Sequence, residues 1–160
     1  MLFVAQDPQG RHRVDGAARL IPRAAHARLI VLDASVAIAA LSARDVHHKA
    51  AVAVLSSLQD EDELVLAATT RTEILVGPER IGGDHLQSAS AFLAGCATIP
   101  VTAAIADAAA ILTAGRNALS VPDAVALAVA DTIGADLAWT FDQRWAGVDA
   151  RVTIPAAGLP

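Results

Sequence analysis

With 160 residues, 54% of them hydrophobic and 18% charged, the chain has room for one ordinary domain with a sizeable core and is too apolar to be disordered throughout. Aromatic residues make up 3% and tyrosine is absent, which disfavours an RNA-binding surface built on stacked rings. The formal net charge is -5, split between five arginines and two aspartates in residues 1–28 (net +3) and a net of -8 in the rest, so a simple basic nucleic-acid-binding module is excluded and an RNA partner would have to be met through a cation or a basic protein.

In chain order, residues 1–28 mix Arg, Ala, Gly and Pro without a period and read as a flexible arginine-containing extension. Their apolar opening breaks off at Gln6 and Pro8, so no secretory signal is visible. Leu29-Ile30-Val31-Leu32 has the continuous apolar character of a strand buried on both faces and ends at Asp33. A helix is predicted over Ala34–Leu41 and a second over 44–58, with Val46, Ala50, Ala53, Val54 and Leu58 at helical spacing. The acidic run 60–63 reads as a solvated loop, 64–67 as a strand, and Thr70–Val76 as a helix that stops at Gly77-Pro78. Residues 79–94 read as a helix, Thr98–Val101 as a strand, 103–116 and 121–133 as helices, 137–140 as a strand and 151–154 as a fifth, with 157–160 left as a tail. Strands alternating with helices imply an α/β domain with a mainly parallel sheet covered on both faces. The one cysteine, Cys96, permits neither an internal disulfide nor a cysteine zinc site and points to a reducing cytoplasm, and the 13-residue apolar stretch Leu29–Leu41 is too short to span a bilayer.

In such sheets ligands bind beyond the carboxyl ends of the strands. Four acids fall at a strand-to-helix junction or in a first helical turn: Asp33, Glu73, Asp123 and Asp142. Each has a plain structural alternative. Asp33 and Asp142 suit helix caps or turns, while Thr70-Arg-Thr-Glu73 and Ser120-Val-Pro-Asp123 fit capping boxes. Gathered at one end of a sheet, however, four carboxylates repel one another and need a proton or a cation, and all-oxygen ligands favour Mg2+ or Mn2+. That chemistry suits phosphodiester hydrolysis. Other sites are missing from the sequence. Lys49 is the single lysine and no P-loop is present; Ser35 stands where a haloacid-dehalogenase phosphatase needs its second Asp; there is no Gly-x-Ser-x-Gly elbow and no His-Glu-x-x-His. His47 and His48 read as solvated, and Cys96 as a small core residue.

The ordered set Leu-Ile-Val-Leu-Asp33-Ala-Ser35, Asp45-Val-His47-His48, Thr-Arg-Thr-Glu73-Ile-Leu-Val-Gly77-Pro78, Val-Pro122-Asp123-Ala124 and Asp136-Leu-Ala-Trp-Thr140-Phe141-Asp142-Gln-Arg144-Trp145 resembles PIN-domain ribonucleases, specifically the VapC-type toxins of toxin–antitoxin pairs. The resemblance covers about Leu29 to Pro155 and implies a three-layer α/β/α sandwich, an Mg2+ or Mn2+ site and endonucleolytic RNA cleavage. It implies Asp33, Glu73, Asp123 and Asp142 as the acidic set, with Asp33, Asp123 and Asp142 on the metal and Glu73 as a ligand or water-orienting base. Ser35 and Thr140 match hydroxyl positions behind the metal ligands, and Arg71 and Arg144 stand close enough in sequence to hold substrate phosphates or to be plain surface charge. It also implies a homodimer and a VapB-like antitoxin whose tail covers the groove. The extension before residue 29 and the scarcity of basic residues in the core depart from the family pattern. A PIN-like partner-binding module without turnover and a DNA-cutting nuclease are the competing readings.

Overall fold

Leu29–Leu32 forms β1, and all four of its residues are buried, which is why the run lacks the alternation of a half-exposed strand. The computed structural model describes residues 27–115 and 119–156. After β1 come α1 (Ala34–Leu41), α2 (His48–Ser56), β2 (Glu63–Ala67), α3 (Ala68–Ile81), α4 (Gly83–Ala94), β3 (Ala97–Ile99), α5 (Ala103–Ala114), α6 (Val121–Ile133), β4 (Leu137–Trp139), a 3-10 turn (Gln143–Trp145) and β5 (Val152–Thr153). Every pairing is parallel and the strand order is β3-β2-β1-β4-β5. The chain therefore builds outward from β1 to β3, then crosses back to lay β4 on the other side of β1. The point of reversal lies between the carboxyl ends of β1 and β4, where open parallel sheets bind their ligands.

Alternate strand residues feed two separate cores. Leu29, Val31, Val65, Ala67 and Ala138 face α5, α6 and Trp145. Ile30, Leu32, Leu66 and Trp139 face α1, α2, Ile74 of α3 and Leu93 of α4. This is the expected three-layer sandwich. α6 is the most enclosed helix, with all residues from Asp123 to Ala130 buried, and its small side chains let it sit close between sheet and neighbours. Ser120 and Asp123 close a capping box at its start, and Gly134 at φ 64° and ψ 46° ends it in the left-handed conformation that glycine adopts without strain.

The structure moves several predicted boundaries. The helix predicted over 44–58 starts only at His48, because Ser42–His47 forms turns stapled by the Asp45 N–H to Ser42 carbonyl bond (2.9 Å) and the His47 N–H to Asp45 Oδ1 bond (2.8 Å). Glu63, assigned to the acidic loop, opens β2. α3 runs through Gly77-Pro78 to Ile81: proline forfeits one hydrogen bond, yet its fixed φ is helical, and the stop falls at Gly82 with φ 73°. No helix among the described residues is long and apolar enough to cross a membrane.

Residues 1–26 of the expected flexible arm, and the tail at 157–160, lie outside the described residues. Arg28, at the end of that arm, is bound into the fold. Its backbone N–H (3.2 Å) and Nε (2.9 Å) donate to Asp62 Oδ1, its NH2 group donates to Oδ2, and the Gln59 N–H also donates to Oδ2 (2.9 Å). The Asp62 side chain is 2% exposed, against 41% for Arg28. These bonds, the Arg28 ones first, hold the Asp62 carboxyl well below the usual range. A depressed folded-state pKa contributes stability above the unfolded value that is lost as pH falls through the folded one. Asp62→Asn is therefore expected to cost about 1 kcal/mol at pH 7, after allowance for the solvent around Arg28, and nothing at strongly acid pH. Urea denaturation at both pH values checks it; an equal cost at both would show that the charge is irrelevant.

Candidate active site

Asp33 sits where β1 hands over to α1. Its extended backbone (φ -74°, ψ 153°) is that of an N-cap, but its side chain makes no cap hydrogen bond. Instead the Thr140 hydroxyl (2.8 Å) and the Ser35 hydroxyl both donate to Oδ2. Each hydroxyl is aimed in turn by a backbone N–H from the segment after β4: Asp142 N–H donates to Thr140 Oγ1 (2.9 Å) and Phe141 N–H to Ser35 Oγ (3.0 Å). With the Asp33 N–H to Trp139 carbonyl bond (2.9 Å), these contacts tie the ends of β1 and β4 together across the reversal point. Asp33 is 7% exposed and Thr140 fully buried. Burial raises the Asp33 carboxyl above its ordinary value, partly offset by the two hydroxyls, and the charge of Asp123 raises it further.

Asp123 does serve the capping box. Ser120 N–H (3.1 Å) and Ser120 Oγ (2.6 Å) donate to its Oδ2, while its own N–H donates to Ser120 Oγ (3.3 Å). Glu73 does not: α3 begins at Ala68, so Glu73 lies beyond the first turn rather than facing Thr70 as a cap partner. Partial burial raises its carboxyl, followed by the charges of Asp33 and Asp123, so these three acids lie within electrostatic reach of one another. Asp142 caps the 3-10 turn by accepting from Arg144 N–H (2.9 Å).

Arg144 joins the set. Its Nε donates to both Asp142 oxygens (3.0 and 2.8 Å), its NH2 group also reaches Asp142, and the same NH2 donates to Asp123 Oδ2 at 3.2 Å. This pairing, the Arg144 hydrogen bonds foremost, lowers the Asp142 carboxyl. The guanidinium is thus an internal counter-ion between two of the four acids. Among the described residues no three His, Cys, Asp or Glu side chains are gathered tightly enough to hold a metal as they stand. The donor chemistry nonetheless fits a hard divalent cation: all-carboxylate, buried at its centre and lacking any nitrogen or sulfur ligand.

Arg71 lies apart from the acids, reaching across to Thr98 Oγ1 of β3 at 3.5 Å. The two histidines read as solvated both have partners. His48 Nδ1 lies 2.8 Å from the Ala39 carbonyl, and His47 stacks on Phe141. No sequence spacing points to that stack, because its halves come from α2's leading turn and the segment after β4.

Similarity to known proteins follows the same lines. The structure of VapC20 from Mycobacterium tuberculosis, described as a sarcin–ricin loop cleaving toxin, matches at TM-score 0.67 and 21% identity over 79% of this chain and 99% of that one. A toxin–antitoxin complex from Klebsiella pneumoniae matches at TM-score 0.66 and 22% identity, covering 79% and 98%. FitAcB from Neisseria gonorrhoeae matches at TM-score 0.61 and 22% identity, covering 79% and 97%. No curated protein matches by sequence. These identities carry the fold alone, but the sequence pattern of the PIN domain itself matches residues 30–151, from the first strand to the edge of the last, and so takes in all four acids. The chain belongs to the PIN-domain family.

Proposed function

We propose that this chain is a divalent-metal-dependent endoribonuclease of the VapC type, the toxin of a type II toxin–antitoxin pair acting in the cytoplasm. The observation that carries the reading is the hydrogen-bonded set at the reversal point of a PIN-domain sheet: Ser35 and Thr140 on Asp33, Asp142 tied to Thr140, and Arg144 joining Asp142 to Asp123, with Glu73 near enough for the charges of Asp33 and Asp123 to raise its carboxyl. In this reading Asp33, Asp123 and Asp142 hold Mg2+ (or Mn2+) and Glu73 is a further ligand or orients the attacking water. When bound, such an ion polarises phosphate oxygens and lowers the pKa of the attacking water. The chain's own groups supply the rest. Ser35 and Thr140 fix the orientation of the Asp33 carboxylate, and neither can turn away without stranding a backbone N–H. Arg144, half exposed at the rim, can exchange a carboxylate for a substrate phosphate. In-line attack leaves 5′-phosphate and 3′-hydroxyl ends.

A VapB-like antitoxin partner is supported by the Klebsiella neighbour, which is described as a toxin–antitoxin complex. The resemblance to VapC toxins adds a homodimer, checked by sedimentation. The metal requirement is tested by removal. Cleavage of single-stranded RNA by purified protein is expected to vanish in EDTA and return with Mg2+ or Mn2+; cleavage indifferent to EDTA would reject the site. A DNA oligonucleotide run alongside is expected to stay intact.

The reading without turnover has one observation in its favour: Arg144 already neutralises part of the acidic set. Calorimetric titration with Mg2+ and Mn2+ separates the two, since a partner-binding module has no need of the ion.

A further inference from the structure

The His47 ring lies flat on Phe141, with centroids 4.5 Å apart and planes 9° from parallel. Phe141 is 8% exposed and sits between Thr140, which donates to Asp33, and Asp142. Its own N–H donates to Ser35 Oγ, whose hydroxyl donates to Asp33. The stack is therefore one residue from two of the site groups and two hydrogen bonds from a third. His47 itself is exposed, and its neighbour Val46 is 87% exposed. One π-face of the imidazole is covered by Phe141, which leaves the opposite face as the one on which a further ring could stack. His47 is also held in place: its N–H donates to Asp45 Oδ1 (2.8 Å), and its carbonyl accepts from Ala51 N–H (2.9 Å) in the first turn of α2.

A fixed, solvent-facing ring beside a phosphodiester-cutting centre is what an unpaired nucleobase stacks on. Arg44 and Lys49, both exposed and within three residues of His47, are placed to meet neighbouring phosphates, while base–ring stacking itself needs no positive charge and tolerates any base. We propose that His47, backed by Phe141, is the platform on which the RNA base next to the scissile phosphate stacks. This rests on the ribonuclease reading above.

The test measures binding of a fluorophore-labelled single-stranded RNA, in Mg2+, to Asp33→Asn protein with and without a second change at His47. It is paired with KM and kcat in the otherwise unaltered chain. His47→Ala is expected to weaken binding and raise KM by about five- to tenfold, the lower part of the range for base stacking because imidazole is small, with kcat changed less than about twofold. His47→Trp, which restores a flat ring, is expected to recover or exceed the original affinity. Two results overturn the platform while leaving the nuclease standing: RNA cut normally with His47→Ala unchanged in KM, or His47→Trp losing as much affinity as His47→Ala, which would mark His47 as a support for Phe141 and nothing more. If the unaltered chain neither binds nor cuts RNA, the platform falls together with the nuclease reading.

Discussion

Asp33→Asn is expected to reduce RNA cleavage by more than about a hundredfold, beyond what loss of a supporting group behind a metal ligand usually costs, and at the same time to raise the melting temperature of the metal-free protein. The two effects share one cause. Asp33 is buried beside Asp123, so its carboxyl is held above its ordinary value of 3.8 by lost solvation first and by its neighbour's charge in addition. Glu73 is raised above 4.5 by burial and by the charges of Asp33 and Asp123. A group whose folded pKa lies above its unfolded one lends stability that is complete below the unfolded value and is lost as pH rises through the folded value. The metal-free protein therefore carries an ionisation penalty at neutral pH that a cation would relieve. In Asp33→Asn the side-chain amide oxygen still accepts from Ser35 and Thr140, so the hydrogen bonds survive while the charge goes. The variant's advantage in melting temperature, measured in EDTA, should be absent at pH 3 and grow as pH rises past the ordinary carboxylate range. Parallel melting curves for the two proteins at every pH would deny the electrostatic coupling. Unimpaired cleavage would deny Asp33 its place on the metal.

Local pattern carries most of what places the site. Four apolar residues ending in an acid make a buried strand that stops at the reversal point of the sheet, and Asp33 stands there. The capping-box reading of Asp123 also holds, and it is compatible with the proposed metal-binding one, because the Ser120 bonds fall on Oδ2 alone. For Glu73 the capping pattern misleads, since Ala67 supplies the cap position and Thr70 is drawn into the helix and buried. What local pattern cannot reach is pairing between remote segments. Arg71 and Arg144 are equally near acids in sequence, yet one side chain crosses toward β3 and the other turns back on Asp142 and Asp123. Direction of that kind is set by the path of the strands. The same holds for His47 on Phe141, and for Arg28 on Asp62, where a residue before the first strand is captured by the turn leading into the second.

Trp145→Ala should be the most destabilising of the substitutions considered, costing about 3–5 kcal/mol, a large share of the roughly 5–15 kcal/mol that holds a typical domain together. Trp145 is the largest fully buried side chain of the fold and belongs to the core under α5 and α6, although it projects from a three-residue 3-10 turn rather than from a strand or long helix. Apart from the indole the turn is held by polar contacts: Asp142 caps it, the Trp145 N–H donates to the Asp142 carbonyl at 3.1 Å, and Arg144 pairs with Asp142 and Asp123. Removing the indole thus opens a cavity in the core and also releases the segment that presents Asp142 and Arg144, so cleavage should fall along with stability. Trp145→Phe separates volume from chemistry. The indole Nε1 is buried without an acceptor among the described residues, a donor that costs about 1–3 kcal/mol to leave unmet. A phenyl ring gives up some packing but removes that donor, so Trp145→Phe is expected to fall within about 1 kcal/mol of the original protein and to keep most of its activity. Urea denaturation of both variants decides the matter. A Phe variant as unstable as the Ala variant would mean that Nε1 has an acceptor and that hydrogen bonding, rather than bulk, anchors the turn.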